Sequence, residues 1–190
     1  TAFVGGINVS DRYINHAAGT RALFWRDTHL RIDGPGVLYL QYLFLCDWNF
    51  CAKDKLQPDA FFFPQSSTLA VKGNKVVQIA ASGPDSDMPT ILFSLLQAIN
   101  LAKEEILITT PYFIPGESLI DALMVSALGG IAVKLLVPGL SDSKLVNAAA
   151  RSYYGDLLKA GVEIYLYNKG FVHAKTMVTD RKIAIVGTAN

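Results

Sequence analysis

The sequence predicts a layered α/β fold, a largely parallel sheet with helices on both faces. Three observations predict it. From residue 75 onward, short apolar segments of strand length alternate with segments of helix length. The chain is 51% hydrophobic and 17% charged, which suits a sizeable core and excludes a disordered chain. A segment also recurs. Ala2-Phe3-Val4-Gly5-Gly6-Ile7-Asn8 matches Ala184-Ile185-Val186-Gly187-Thr188-Ala189-Asn190 at one constant offset. A recurrence at fixed offset is the mark of a duplicated unit.

The elements follow in order. Residues 2–4 read as the end of a strand, closed by the Gly5-Gly6 turn. Residues 28–32 alternate in polarity and read as a strand. Asp33-Gly34-Pro35-Gly36 is a turn, with Pro35 placed to start a helix. Residues 37–52 form that helix, apolar enough to be largely buried. Residues 53–74 have no clear period and contain Pro58, Pro64 and Gly73, so they read as a long loop between two lobes. Residues 1–74 are then the carboxyl-terminal part of a first lobe, and 75–190 a second lobe cut at its end. The second lobe opens with a strand at 76–81 and a helix at 89–103, apolar at Ile91, Leu92, Leu95, Leu96 and Ile99. A strand at 106–110 and a helix at 117–128 follow, the latter stopped by Gly129-Gly130. Next come a strand at 131–137, a helix at 142–160 stopped by Gly161, and a strand at 162–167. Residues 173–179 and 182–186 form a hairpin across Asp180-Arg181.

The chemistry is concentrated at the end of the chain. His173, Lys175, Asp180, Gly187 and Asn190 form the pattern H-x-K-x4-D-x6-G-x-x-N. In extended chain alternate side chains share a face, which puts His173 and Lys175 roughly 7 Å apart on one side. An antiparallel return can bring Asn190 beside His173. One imidazole, one cation and one amide, with no carboxylate cage for a metal, suit an oxyanion of spread charge, above all a phosphate. An imidazole can attack phosphorus or protonate a leaving alkoxide, but in-line displacement needs a group on each side of phosphorus. The duplication supplies the reason for two such groups.

These residues resemble the HKD motif of the phospholipase D superfamily. The flanking segments Gly5-Gly6-Ile7-Asn8, Asp11-Arg12-Tyr13, residues 25–35, Asp47-Trp48 and Thr110-Pro111-Tyr112-Phe113-Ile114-Pro115 resemble bacterial cardiolipin synthases. The resemblance covers essentially the whole chain. It implies a phospholipase D-like fold in which two halves meet at a pseudo-two-fold axis. It implies condensation of two phosphatidylglycerols into cardiolipin and glycerol through a phosphohistidine, with no cofactor and no metal. A lipid hydrolase or another phosphodiesterase on the same scaffold is the alternative. His173 would be general acid on the first step and base on the second. Lys175, Asn190 and Thr188 would bind phosphate, with Asn8 the matching amide of the first half. Asp27 would orient the first-half histidine, and the carboxylate supporting His173 would lie beyond Asn190. The first-half His and Lys would precede Thr1, so the 190 residues alone would be inactive. The parent would sit at the cell membrane, its phospholipid substrate drawn from the membrane surface and its anchoring helices among the missing amino-terminal part.

Several residues admit two readings. Asp180 is either a catalytic orienter or a turn residue, and Asp27 either functional or a cap at the start of a strand. Tyr112 stands at the carboxyl edge of the sheet, where open α/β folds bind ligands, or packs in the core. His16 and His29 read as surface or satisfied core histidines. Phe61-Phe62-Phe63-Pro64 is either a membrane wedge or packing between lobes. A formal charge of +1 argues against an extended nucleic-acid face. Cys46 and Cys51, five apart on one helix, point from diverging faces and support neither a disulfide nor a zinc site. The longest apolar run, residues 37–46, is too short to span a bilayer.

Overall fold

The computed structural model of the chain describes residues 1–15, 23–65, 71, 73–83 and 86–190. By contacts it divides into two units, one of Thr1–Val4 with Leu30–Ala81 and one of Gly5–His29 with Ser82–Asn190.

The second unit is built on a five-stranded sheet. Its strands are β4 (Glu105–Thr109), β5 (Ala132–Pro138), β6 (Glu163–Tyr167), β8 (Thr176–Thr179) and β9 (Ile183–Val186), in the order β6-β5-β4-β8-β9. The first three strands run parallel, and β8 pairs antiparallel with both β4 and β9. Parallel pairs need crossovers, supplied by α3 (Glu117–Leu128) and by α4 (Lys144–Ser152) with α5 (Tyr154–Lys159). A further helix, α2 (Thr90–Leu101), leads into β4.

One core joins these elements. Ile106 and Ile108 of β4, Val133, Leu135 and Val137 of β5 and Met177 of β8 point to one face. Ile99, Leu123, Ala150 and Leu157 of the four helices pack on them. Each large aliphatic side chain buried there contributes about 1.5–3 kcal/mol. The α/β class is the one the sequence predicts, and within this unit the four helices pack on one face of the sheet. The strand order explains it. Steps from β4 to β5 to β6 go the same way, and right-handed crossovers taken in one direction land on one side.

Two local differences have plain causes. The helix expected at 142–160 breaks at Tyr153, whose N–H bonds to Ala150 O in a tighter turn, and Gly155 weakens the turn that follows. Ser143 caps the first piece by accepting from the Val146 N–H. The strand expected at 76–81 is irregular, because no described strand pairs with it and a strand needs a partner.

In the first unit, strands β1 (Ala2–Gly5) and β3 (His29–Ile32) pair at the unit's edge, and α1 (Val37–Cys51) follows. Expected to be largely buried, α1 buries only Leu45 among its residues and leaves Tyr39, Tyr42, Phe44, Trp48 and Phe50 exposed. It is apolar around its whole circumference, so no single face can take all its side chains inside. Both cysteines are free and exposed. No described helix is long and apolar enough to cross a membrane.

Candidate active site

His173 is placed by a short parallel pair at the edge of the second unit. Strand β7 (Phe171–Val172) runs beside β2 (Trp25–Arg26), and the His173 N–H donates to Arg26 O at 2.8 Å. The two segments can approach because position 170 is glycine. Its φ is +144°, and a Cβ there would stand 2.2 Å from Phe24 O. Asn15 holds the other side of β2. Its side-chain amide donates to Trp25 O and its oxygen accepts from Trp25 N, both at 2.8 Å.

The imidazole is buried in an aromatic surround. The rings of Trp25, Phe171, Tyr13 and Tyr112 have centroids 5.2, 5.8, 6.1 and 6.1 Å from that of His173. Its Nδ1 lies 2.9 Å from Asp27 Oδ2, and Asp27 Oδ1 accepts from the Thr28 N–H at 2.7 Å. This corrects the expectation that the partner of His173 lies beyond Asn190 and that Asp27 serves another histidine. A carboxylate accepts only, so the proton belongs on Nδ1 and the lone pair on Nε2. Lys175 Nζ stands nearly equidistant from the two ring nitrogens, 3.2 Å from Nε2 and 3.3 Å from Nδ1, and donates to His173 O at 2.8 Å. Burial lowers the Lys175 pKa, with Asp27 opposing. Among the described residues Lys175 makes no ion pair, and a buried cation so placed is poised to accept an anion.

A cavity of about 120 Å³ opens beside this pair, lined by Gly5, Gly6, Asn8, His173, Lys175, Thr188 and Asn190. Gly6 and Thr188, and likewise Asn8 and Asn190, are equivalent positions of the recurring segment, so the two copies converge on one cavity. Each copy delivers its asparagine just after a strand, β1 in one case and β9 in the other. The lining carries one cation, two amides and one hydroxyl, and no carboxylate. Gly6 has no substitute there, since a Cβ would meet Asp27 Oδ1 at 2.4 Å. Among the described residues, no group of three or more His, Cys, Asp or Glu side chains could hold a metal ion.

Three sequence-predicted site residues lie outside the cavity lining: Asp27, which holds His173 Nδ1, and Asp180 and Tyr112. Asp180 is at the opposite end of β8 from Lys175, roughly 15 Å along the strand. It has φ +52° in the hairpin turn. Its carboxylate accepts from the N–H groups of Lys103, Glu104 and Glu105 at 2.9, 2.8 and 3.0 Å. These bonds, that to Glu105 foremost, hold its pKa below the usual carboxylate value. Of its two readings, the structural one fits this geometry. Tyr112 packs edge-on against the imidazole and donates its hydroxyl to Asp142 at 2.9 Å. Burial, then Asp142, pushes its phenol up to about 12. His29 is exposed in β3, and His16 lies outside the described residues.

Tyr13 was not singled out by the sequence, yet its hydroxyl lies 2.9 Å from His173 Nδ1. Only the Gly5-to-Tyr13 segment as a whole pointed to it. Nothing in a three-residue 3-10 turn, Asp11–Tyr13, marks one side chain as part of a site.

Comparison with known proteins follows the same residues. Residues 95–190 match the family described as cardiolipin synthase, PLD-like domain. The chain is 45% identical over 191 aligned residues to the major cardiolipin synthase ClsA of Bacillus subtilis (strain 168), covering 100% of this chain and 39% of that protein. It is 41% identical over 189 residues to a cardiolipin synthase of Listeria monocytogenes serotype 4a, covering 99% of this chain and 38% of the relative. The chain thus spans about two fifths of the length of these relatives. A solved structure of a phospholipase D family member, Nuc from Salmonella typhimurium, aligns at 18% identity with a TM-score of 0.46, over 53% of this chain and 64% of its own.

Proposed function

Because the chain belongs to the cardiolipin synthase family of phospholipase D-like domains, we propose that the whole protein transfers a phosphatidyl group between phosphatidylglycerols. The products are cardiolipin and glycerol. In this reading residues 75–190 are the second phospholipase D-like lobe, and 1–74 the carboxyl-terminal part of the first. In the same reading the segment Gly5–His29, first-lobe by sequence, serves the site of the second lobe, supported by its falling in one compact unit with Ser82–Asn190. The single observation that carries the reading is the cavity itself. An imidazole fixed by Asp27 faces a cation and two amides with no carboxylate among them, which suits a phosphodiester.

Lys175, Asn8, Asn190 and Thr188 hold the non-bridging oxygens. A second histidine, from the first half of the protein, attacks phosphorus. The new N–P bond forms as the bond from phosphorus to the glycerol oxygen breaks, and protonated His173 gives its Nε2 proton to that oxygen. In the second step the hydroxyl of another phosphatidylglycerol attacks phosphorus. Its proton passes to His173 Nε2 and the N–P bond breaks, so both histidines return to their starting state. Asp27 keeps Nδ1 protonated throughout. The substrate is drawn from the membrane, where the whole protein is held by segments other than these helices.

The test is phosphatidylglycerol conversion by the full-length protein in detergent–lipid micelles with EDTA present, comparing wild type with His173→Ala. Cardiolipin and glycerol from wild type only are expected. Phosphatidic acid as product would instead make the protein a lipid hydrolase. Activity lost to EDTA, or kept by the variant, would overturn the two-histidine mechanism.

A further inference from the structure

Tyr13 touches the imidazole but has no part in the chemistry described so far. Its hydroxyl donates to Gly6 O at 3.0 Å, and the same oxygen lies 2.9 Å from His173 Nδ1. A phenol has one proton. With that proton on Gly6, Tyr13 offers only lone pairs to Nδ1. Asp27 Oδ2 offers another lone pair at 2.9 Å. Nδ1 therefore faces acceptors from two directions, Asp27 and Tyr13, which hold its proton in place. The exchangeable proton is left to Nε2; Lys175 Nζ, 3.2 Å from Nε2 and 3.3 Å from Nδ1, stands nearly equidistant and does not choose between the two nitrogens. The Tyr13 ring is itself held edge-on against Trp25, with centroids 5.3 Å apart. Burial and the Asp27 charge raise its pKa, so the phenol keeps its proton near neutral pH.

The donor end of Tyr13 matters as much. Gly6 lines the cavity and lies two residues before Asn8. One hydroxyl thus ties the backbone that receives phosphate to the ring that moves the proton. We propose that Tyr13 is a positioning residue that fixes the Nδ1–H tautomer of His173 and holds the ring in register with the Gly6 turn. It makes the Nε2 proton the one delivered to the leaving oxygen. The inference rests on the reading of His173 as general acid.

The experiment compares two substrates in single-turnover reactions of the full-length protein. Phosphatidylglycerol has a leaving alkoxide that needs a proton. Phosphatidyl-p-nitrophenol releases a stable nitrophenolate that does not. Tyr13→Phe keeps the ring and removes the hydroxyl. It is expected to slow glycerol release about tenfold or more, a fraction of what general acid catalysis supplies. Nitrophenolate release should stay within about twofold of wild type, with KM unchanged for both. The ratio of the two rates does not depend on how much of the variant folds. Equal slowing of both substrates, or no slowing of either, overturns the proposal. His173→Ala separates the two ideas. If it also slows both substrates equally, the acid reading has failed and the role of Tyr13 falls with it. If it discriminates and Tyr13→Phe does not, only the role of Tyr13 is wrong.

Discussion

Asp27 Oδ2 stands 2.9 Å from His173 Nδ1, although 146 positions of chain separate the two residues. Both are buried, and Asp27 is pinned a second time by the Thr28 N–H. The bond orients the ring and chooses its tautomer, the two things a proton-transferring imidazole needs from its surroundings. Replacing Asp27 by Asn keeps the shape and offers an N–H where an acceptor is required. The full-length Asp27→Asn variant is expected to lose about 10²–10⁴ in kcat on phosphatidylglycerol, with KM changed little. Steady-state kinetics would check it, and a loss confined to KM would refute it.

Gly6→Ala attacks the same bond from the side. The new methyl would sit 2.4 Å from Asp27 Oδ1, and the carboxylate cannot retreat without breaking its bonds to Thr28 and His173. Overpacking of this kind costs about 1–3 kcal/mol. A lower Tm is expected together with a fall in kcat larger than the stability loss alone explains. Thermal melts and kinetics on one preparation measure both.

Lys175→Met should separate stability from function. Burial disfavours the charged amine, so its folded pKa lies below the unfolded value of about 10.4. Between the two values the unfolded chain binds more protons, and wild-type stability rises with pH. Below that window the fold carries the full cost of the buried cation. The Met variant is expected to melt higher than wild type at pH 7, and the gap to shrink as pH rises through the lowered folded pKa. Turnover should be lost at every pH. A variant that melts lower at pH 7 would show that Lys175 supports the fold.

Asp180 behaves in the opposite sense. Its folded pKa is depressed by backbone N–H donors, so its contribution is complete above the unfolded value of about 3.9 and is lost as pH falls through the folded one. Asp180→Asn is expected to lower Tm by several degrees at pH 7 while leaving kcat within about twofold. The Tm difference from wild type should narrow below pH 4. A kcat loss with unchanged Tm would return Asp180 to the chemistry.

The sequence holds His173-x-Lys175 once, and in-line displacement asks for a group on each side of phosphorus. The 190 residues by themselves are expected to show negligible turnover. If two copies instead pair their His173 rings, activity will rise with the square of protein concentration. A dilution series distinguishes the two outcomes.

Much of the second unit was legible because strong local signals agreed with the fold. The helix Glu117–Leu128 lies where its apolar pattern and Gly129-Gly130 put it, and the hairpin turns at Asp180-Arg181. Asn8 and Asn190 are tied together by the repeat, and both line the cavity. What escaped was set by distant partners. Residues 76–81 have strand character but, among the described residues, no neighbouring strand. The apolar character of α1 forecast burial without any guarantee of enough surface to cover it. The bond from Asp27 to His173 depends on β2 lying beside β7, a pairing of two residues each that no periodicity announces. Tyr13 depends on that pairing in turn.

The order of synthesis gives the pairing of Asp27 with His173 one more meaning. Chains grow at about 5–20 residues per second, so Asp27 leaves the ribosome roughly seven to thirty seconds before His173. For that interval the carboxylate has no imidazole to hold, and Gly5, Gly6 and Asn8 have no partners with which to enclose a cavity. A chain whose synthesis stops before residue 173 therefore lacks this pairing altogether, because the carboxylate is made well before the imidazole it holds.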